Sequence, residues 1–176
     1  MTQKTISINR APVLTLWAAI VAQRLGFDKD ESLSLAKALA GLNAQSKGRR
    51  LGIFKPHEEK AHTARKQKQG ETFGIELLGR PVPAMNTEDG IRATIHSAVV
   101  EPDAVQRYLE SKFGEDLDAV RSAMQRLAKS FGPKELATVA FSLYEQFRPK
   151  IPEGVKGWGA KGDLDLGIIK GLVKKT

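Results

Sequence analysis

The chain has 176 residues with 28 Lys and Arg against 20 Asp and Glu, for a formal net charge of +8 at pH 7. It contains no cysteine, which excludes disulfides, thiolate zinc sites and a cysteine nucleophile. No apolar stretch reaches the roughly 20 residues needed to cross a bilayer, so we expect a cytoplasmic protein without a membrane segment. The basic balance favours acidic partners such as nucleic acid.

Two helices joined by a short loop are predicted at the N-terminal end. Apolar residues surround most of a helix over 12–25, and such a helix is usually buried in the middle of a fold. Gly26 ends it. Asp28 or Asp30 can cap a second helix that runs to about Ser46. The pair forms a helical hairpin.

The segment that follows this hairpin carries most of the charge excess. Residues 47–69 hold eight bases and two acids, whereas 1–46 have a net charge of +2 and 70–176 are neutral. A third helix is predicted over 57–69, and because two alanines are its only apolar residues it forms a solvated or partly disordered arm. The bases are Lys47, Arg49, Arg50, Lys55, Lys60, Arg65, Lys66 and Lys68.

A small β element is predicted in the middle of the chain. Residues 72–78 have the composition of a strand, and the Gly- and Pro-containing residues 79–83 are expected to turn away from it. A second strand is predicted over 91–100, where Ile and Val alternate with polar residues. With 84–90 as the link, the two strands form an antiparallel pair.

Three amphipathic helices are predicted in the C-terminal half. They begin at Pro102, at about Asp116 and after Gly132-Pro133, and Pro149 closes the last one. Each carries apolar side chains at helical spacing, which indicates a helical subdomain with its own core. The stripes are Val105, Tyr108, Leu109 and Phe113; Val120, Met124, Leu127 and Phe131; and Leu136, Ala140, Leu143 and Phe147.

The tail, 150–176, is rich in glycine around Trp158. A lone tryptophan in such a segment usually docks the tail onto a groove, because its side chain buries a large apolar area. Asp163 is expected to cap a last short helix over 164–172.

The predicted fold is therefore mainly α with a small β element, an α+β arrangement. It consists of an N-terminal helical hairpin, a basic helical arm, a two-stranded β element, a C-terminal three-helix subdomain and a docked Gly/Trp tail. We divide the chain into 1–70 and 71–176, which together form one compact unit.

Catalytic and cofactor motifs are weak. His57 and His62 resemble a zincin pair, but their i, i+5 spacing swings the second imidazole roughly 140° around a helix. The G-x-G-x-x-G match at 157–162 lacks the preceding strand and the βαβ unit of a dinucleotide site. Asp163 and Asp165 are explained by helix capping. We predict no catalytic, cofactor-binding or metal-binding residue and favour a protein that is not an enzyme.

The basic segment is the strongest functional signal. Clusters of Lys and Arg bind phosphates with salt-sensitive affinity, so the eight bases of 47–69 predict a nucleic-acid-binding protein. Some of these bases also complement the end of the second helix, and others could form an ordinary solvated face. The alternatives are a module that engages an acidic protein through the basic arm or Trp158, and an enzyme of unknown class.

Four stretches of the chain resemble a family of small bacterial proteins to which no activity is assigned. They are Ser7–Ala19, Leu42–Phe54, Leu78–Pro83 and the tail from Gly154 to Leu166. The resemblance covers most of the chain. It implies a bacterial source, and it supplies no catalytic or binding residue.

Overall fold

A computed structural model describes residues 5–45, 72–95, 98–150 and 161–174, and within these ranges the fold is α+β with two small antiparallel sheets. A short 3₁₀ turn, Gly114–Asp116, lies between the helix that ends at Phe113 and the helix that begins at Leu117. The elements are β1 (Thr5–Asn9), α1 (Arg10–Arg24), α2 (Lys29–Gln45), β2 (Thr72–Leu77), β3 (Arg80–Thr87), β4 (Gly90–Ile95), β5 (Ala98–Val99), α3 (Pro102–Phe113), α4 (Leu117–Lys129), α5 (Pro133–Phe147), β6 (Lys161–Asp165) and α6 (Leu166–Gly171).

Helix α1 is the centre of the core, as its apolar circumference predicted. Every residue from Pro12 to Ala22 is buried, and α1 packs against α2, α3, α4 and α5. Trp17 is fully buried, its indole Nε1 donates to the carbonyl oxygen of Ala140 at 2.9 Å, and its ring meets Phe147 edge-on at 5.3 Å. A buried indole needs such an acceptor, so this hydrogen bond fixes α1 against α5.

Helices α1 and α2 pack against each other and are joined by the short loop 25–28. Gly26 follows α1 with φ 110°, in the left-handed region that favours glycine. Asp28 is the residue that caps α2: its Oδ1 accepts from the backbone N–H of Glu31 at 2.8 Å, and Glu31 Oε1 accepts from the backbone N–H of Asp28 at 3.0 Å. This reciprocal pair is a capping box.

The β element is larger than the sequence suggested, with strand order β2-β3-β4-β5. The expectation that 79–83 turn away and that 84–90 form a link was wrong, because β3 runs through most of both segments. Residues two apart direct their backbone nitrogens to the same side. β4 pairs with β3 only from Ala84 onward. Pro81 and Pro83 lie before that residue, so the side of β3 that their nitrogens face has no partner strand, and the missing N–H groups are tolerated.

A second sheet joins the two ends of the described chain. β1 pairs antiparallel with β6, with Ile6 opposite Leu164 and Ile8 opposite Gly162. The expected helix over 164–172 therefore begins two residues later, and Asp165 rather than Asp163 caps it by accepting from Gly167 N–H at 2.8 Å. Exposed and buried residues alternate along both strands, so one face of this sheet packs on the core.

The three C-terminal helices begin and end close to the predicted positions, and most residues of their predicted apolar stripes are buried. Their buried residues belong to the same apolar cluster as those of α1 and α2. The division of the chain at residue 70 stays a prediction.

Two predicted features lie outside the described residues. They are the helix over 57–69 and the glycine-rich part of the tail that contains Trp158. Among the helices that the structure describes, none is long and apolar enough to cross a membrane.

Candidate functional site

All eight bases predicted to contact phosphate lie outside the described ranges, between the end of α2 and the start of β2. The three histidines also lie outside the described residues: His57 and His62 between α2 and β2, and His96 between β4 and β5. The described residues nevertheless bear on the charge argument. They carry seventeen Lys and Arg against sixteen Asp and Glu, so the part of the chain that the structure describes is almost neutral.

One cluster of cations lies on the described surface, where α2 meets α3. The Lys37 ammonium lies 4.0 Å from the centroid of the Tyr108 ring, and the Lys112 ammonium lies 6.0 Å from the same centroid. Burial and, to a lesser degree, the neighbouring Lys112 charge hold the pKa of Lys37 below its ordinary value. Burial raises the pKa of Tyr108. Neither lysine has a carboxylate within ion-pair distance among the described residues.

A cavity of about 240 Å³ opens between α1, α2, α3 and α4. Its apolar wall is formed by Leu16, Ala19 and Ile20 of α1, which follow the i, i+3, i+4 spacing of one helix face, and by Leu33 of α2. All four of these side chains are buried from solvent or nearly so.

The remaining wall of this cavity is polar and positively charged. It consists of three amides and two cations: Gln23, Lys29, Gln106, Arg121 and Gln125. Gln106 Oε1 is buried and has no hydrogen-bond partner among the described residues. Arg121 Nη1 lies 3.8 Å from Asp118 Oδ1, and the Asp118 side chain is almost fully exposed. An exposed ion pair at that distance contributes little, so it holds the guanidinium only weakly.

A second group of polar side chains is buried between α2 and the turn that joins β3 to β4. Glu31 is 2% exposed and Arg92 is 6% exposed. Glu31 Oε2 accepts from the backbone N–H of Ile91 at 3.1 Å, and Arg92 Nη1 donates to the carbonyl oxygen of Ile91 at 2.9 Å. Both side chains approach Gly90, where an added Cβ would lie 3.2 Å from Glu31 Oε2. Glu31 and Arg92 therefore have a structural role, because their side chains form the hydrogen bonds that buried backbone groups require.

Ser34, one turn further along α2, has the same structural role. Its hydroxyl donates to the carbonyl oxygen of Val100 at 2.9 Å and accepts from the backbone N–H of Ala93 at 2.8 Å. Ser34 and Glu31 together accept hydrogen bonds from backbone N–H groups of β4, those of Ala93 and Ile91. The two-residue β5 is too short to pair with these groups. The polar face of α2 therefore covers the edge of the sheet.

The other motifs in the described ranges also have structural explanations. Gly162, the last glycine of the G-x-G-x-x-G match, lies in β6, and an added Cβ would meet the Lys150 carbonyl oxygen at 2.5 Å. Lys150 and Asp163 exchange backbone hydrogen bonds of 3.3 Å each. Close backbone approach thus explains this glycine without a phosphate. Within the described residues, no group of three or more His, Cys, Asp or Glu side chains could hold a metal ion.

Similarity to known proteins does not narrow the function: no family model, no curated protein and no solved structure matches this chain. The resemblance to a family of small bacterial proteins stays a prediction. The sequence reasoning missed the cavity altogether. Its polar residues come from four helices and are far apart in sequence, so only the helix packing brings them together.

Proposed function

We propose that this protein is a non-enzymatic nucleic-acid-binding protein that contacts phosphates through the cationic segment 47–69. The observation that carries the proposal is the separation of charge along the chain. The cationic segment has eight bases and two acids, and the described residues have seventeen bases and sixteen acids. A charge excess confined to one segment produces a local positive potential that attracts a polyanion.

The position of the segment in the chain also supports this function. It connects α2, which packs along α1, to β2, which contacts α1 as well. Both ends of the cationic segment are therefore attached to the same apolar core. A phosphate backbone bound there would lie beside a nearly neutral body, which adds little long-range repulsion or attraction.

The lysine pair on Tyr108 gives further support. Lys37 lies on α2, the helix that leads into the cationic segment, and Lys112 shares the ring of Tyr108 with it. Two neighbouring ammonium groups without a carboxylate partner among the described residues would gain from an anion between them. A nucleic-acid backbone that extends from the cationic segment along α2 would place a phosphate between the two lysines.

A fluorescence-anisotropy titration tests the proposal with labelled duplex DNA, single-stranded DNA and RNA at about 50 mM and about 200 mM salt. We expect binding that weakens steeply with salt, because each phosphate contact contributes about −0.9 to the slope of log K against log salt on duplex DNA. Replacing Lys60, Arg65, Lys66 and Lys68 by Gln should flatten that slope by about 3 to 4.

The matched control removes four exposed charges from the described body instead, with Gln at Arg126, Lys129, Lys134 and Lys170. It lowers the net charge by the same amount and should leave most of the affinity in place. Equal loss in both variants would show that overall charge, rather than the cationic segment, is responsible. Absence of binding to all three nucleic acids at the lower salt contradicts the proposal and leaves an acidic protein as the partner to test.

We also propose a cytoplasmic location and a bacterial source, as expected from the sequence and its resemblance. Fluorescence microscopy of the tagged full chain in a bacterial host would check the location. Co-localisation with the nucleoid or with ribosomes would also distinguish DNA from RNA as the ligand.

A further inference from the structure

The two outer strands of the four-stranded sheet differ in how their free edges are protected. β5 has only two residues, and Glu31 and Ser34 of α2 bind backbone groups at that end of the sheet. β2 has six residues, contains no proline or lysine, and pairs with β3 without a bulge. Sheet edges are kept from pairing by short strands, bulges, proline and charged side chains. Of these devices β2 has a single charge, that of Glu76.

The backbone groups of Thr72, Gly74 and Glu76 face the open edge of β2. A two-residue turn whose residues both have positive φ joins β2 to β3, so Leu77 and Arg80 on either side of it exchange backbone hydrogen bonds. The direction of these groups alternates along an antiparallel strand. Every second residue before Leu77 therefore also bonds to β3, and the residues between them face away.

The positions of the prolines in β3 agree with this alternation. Pro81 lies opposite Glu76 and Pro83 lies opposite Gly74, and these are the pairs in which no N–H is needed. Among the residues that the structure describes, no strand or loop pairs with the outward groups of β2. Thr72 is exposed, and Gly74 and Glu76 are partly exposed, so the edge is accessible to solvent.

The outward groups of β2 complement those of a second copy of the same strand. Because outward residues can bond only to outward residues, a two-fold axis at Gly74 places this glycine opposite its own copy. Thr72 then lies opposite Glu76 of the second copy, and the whole range 72–76 is paired. A hydroxyl, rather than a second carboxylate, faces each Glu76, so like charges are not opposed.

The same register continues the apolar layer of the sheet. Ile75 is fully buried, and Phe73 is partly buried against the core on the same face of β2. The two-fold axis places Phe73 opposite Ile75 of the second copy, and pairs of aromatic and β-branched residues stabilise neighbouring strands. An extended peptide of another sequence would form the backbone hydrogen bonds without these side-chain pairs. The strand therefore suits its own copy best.

We propose that two copies of this chain pair antiparallel along β2 and join their four-stranded sheets into one sheet of eight strands. Sheets of up to about ten strands are common. The interface is separate from the cationic segment and goes beyond the proposed nucleic-acid function. Because only a short strand from each copy forms the contact, we expect a weak dimer with a dissociation constant of about 10–100 μM.

Sedimentation equilibrium of the full chain, freed of nucleic acid, measures this association between about 1 μM and about 1 mM. Gly74→Pro removes the N–H that faces the open edge and no hydrogen bond to β3. Proline is tolerated on an edge strand, so this variant should stay folded and remain monomeric. Gly74→Ala is the matched control: it keeps the N–H, and its Cβ would lie at an ordinary 3.9 Å from Pro81 Cβ. Thermal unfolding shows whether each variant is folded.

Charges at position 72 test the register. Thr72→Glu places a carboxylate opposite Glu76 of the second copy at two symmetric positions and should raise the dissociation constant about fivefold. Thr72→Lys should lower it about fivefold for the opposite reason. Adding Glu76→Lys to Thr72→Glu restores the attraction and should restore the dimer. Thr138→Glu and Thr138→Lys make the same charge changes at an exposed position of α5 and are the matched controls.

Three results would overturn the proposal. One is a chain that stays monomeric up to about 1 mM. Another is a dimer that Gly74→Pro leaves unchanged in folded protein, since the contact would then lie on a different surface. The third is an equal effect of Thr72→Glu and Thr72→Lys, which excludes this register. The variant with Gln at positions 60, 65, 66 and 68 should dimerise as the original protein does, so failure of nucleic-acid binding and failure of dimerisation remain distinguishable.

Discussion

Helix α2 lies between two kinds of interface, and the comparison shows what each contributes. Toward α1 the contact is apolar, and it continues to the buried ring of Trp17 against α5. Toward the four-stranded sheet, α2 presents Glu31 and Ser34, whose oxygens bind backbone groups of β4 and Val100. Apolar burial contributes most of the stability and has little directionality. The polar contacts fix the position of the sheet, because a shift would leave buried groups unpaired.

The largest effect is expected on the apolar side. Trp17→Ala should lower the free energy of unfolding by about 3–5 kcal/mol, because it removes a fully buried ring and leaves a cavity. Denaturant unfolding followed by far-UV circular dichroism measures this loss. Trp17→Phe keeps most of the apolar volume and is the control. A loss of less than about 1 kcal/mol for the alanine variant would contradict the central position of α1.

Removing the Glu31 carboxylate from the interface between α2 and the four-stranded sheet should lower the free energy of unfolding by about 3 kcal/mol. Glu31→Ala removes the acceptor for the backbone N–H groups of Asp28 and Ile91 and leaves Arg92 buried beside the gap. Glu31→Gln keeps one side-chain oxygen and should cost less. Hydrogen exchange should show faster exchange at Ile91 and at the start of α2 than in α5. Uniform acceleration over the whole chain would mean that the contact has no local role.

Alkaline pH gives a third probe, on the apolar side. Burial raises the pKa of Tyr144 to about 12, above the ordinary value of about 10. The folded state thus favours the neutral phenol. The contribution of Tyr144 to the free energy of unfolding is therefore complete below about pH 10. It falls by about 2–3 kcal/mol as the pH rises toward 12. Unfolding titrations over this range should show a shallower decline for Tyr144→Phe than for the original protein. An equal decline in stability for the two proteins would contradict the raised pKa of Tyr144.

The smallest effect is expected for Ser34→Ala, at about 1–2 kcal/mol. The substitution leaves the backbone N–H of Ala93 and the carbonyl oxygen of Val100 without the serine hydroxyl. Ser142→Ala, on α5, is a control at a position where the hydroxyl is not part of this interface. If both serine variants have the same stability, the hydroxyl does not determine how α2 meets the sheet.

The helices could be predicted because their apolar residues repeat with the helical period and Gly or Pro marks their ends. Val105, Leu109 and Phe113 of α3 are an example, with Gly114 at the C-cap. The strands β3 and β6 could not be predicted in the same way. Proline and glycine within them are usually signs of turns, and only the partner strand shows that Pro81 and Gly162 are tolerated.

The candidate sites differ in the same respect. The cationic segment is contiguous in sequence, so composition alone was enough to predict it. The cavity is built from residues such as Gln23, Gln106 and Arg121 on three helices, and each looks like an ordinary surface residue in its own helix. Glu31 was also missed, because its second oxygen binds a strand that follows the cationic segment.

The pairing of β1 with β6 has a consequence for folding kinetics. Thr5 lies opposite Asp165 and Asn9 opposite Lys161, so residues 10–160 separate the two strands along the chain. Closing such a long loop is entropically costly, and contacts of high sequence separation slow folding. The helical hairpin, whose contacts are local, can form early. The two-stranded sheet of β1 and β6 would then be the last part of the described structure to assemble.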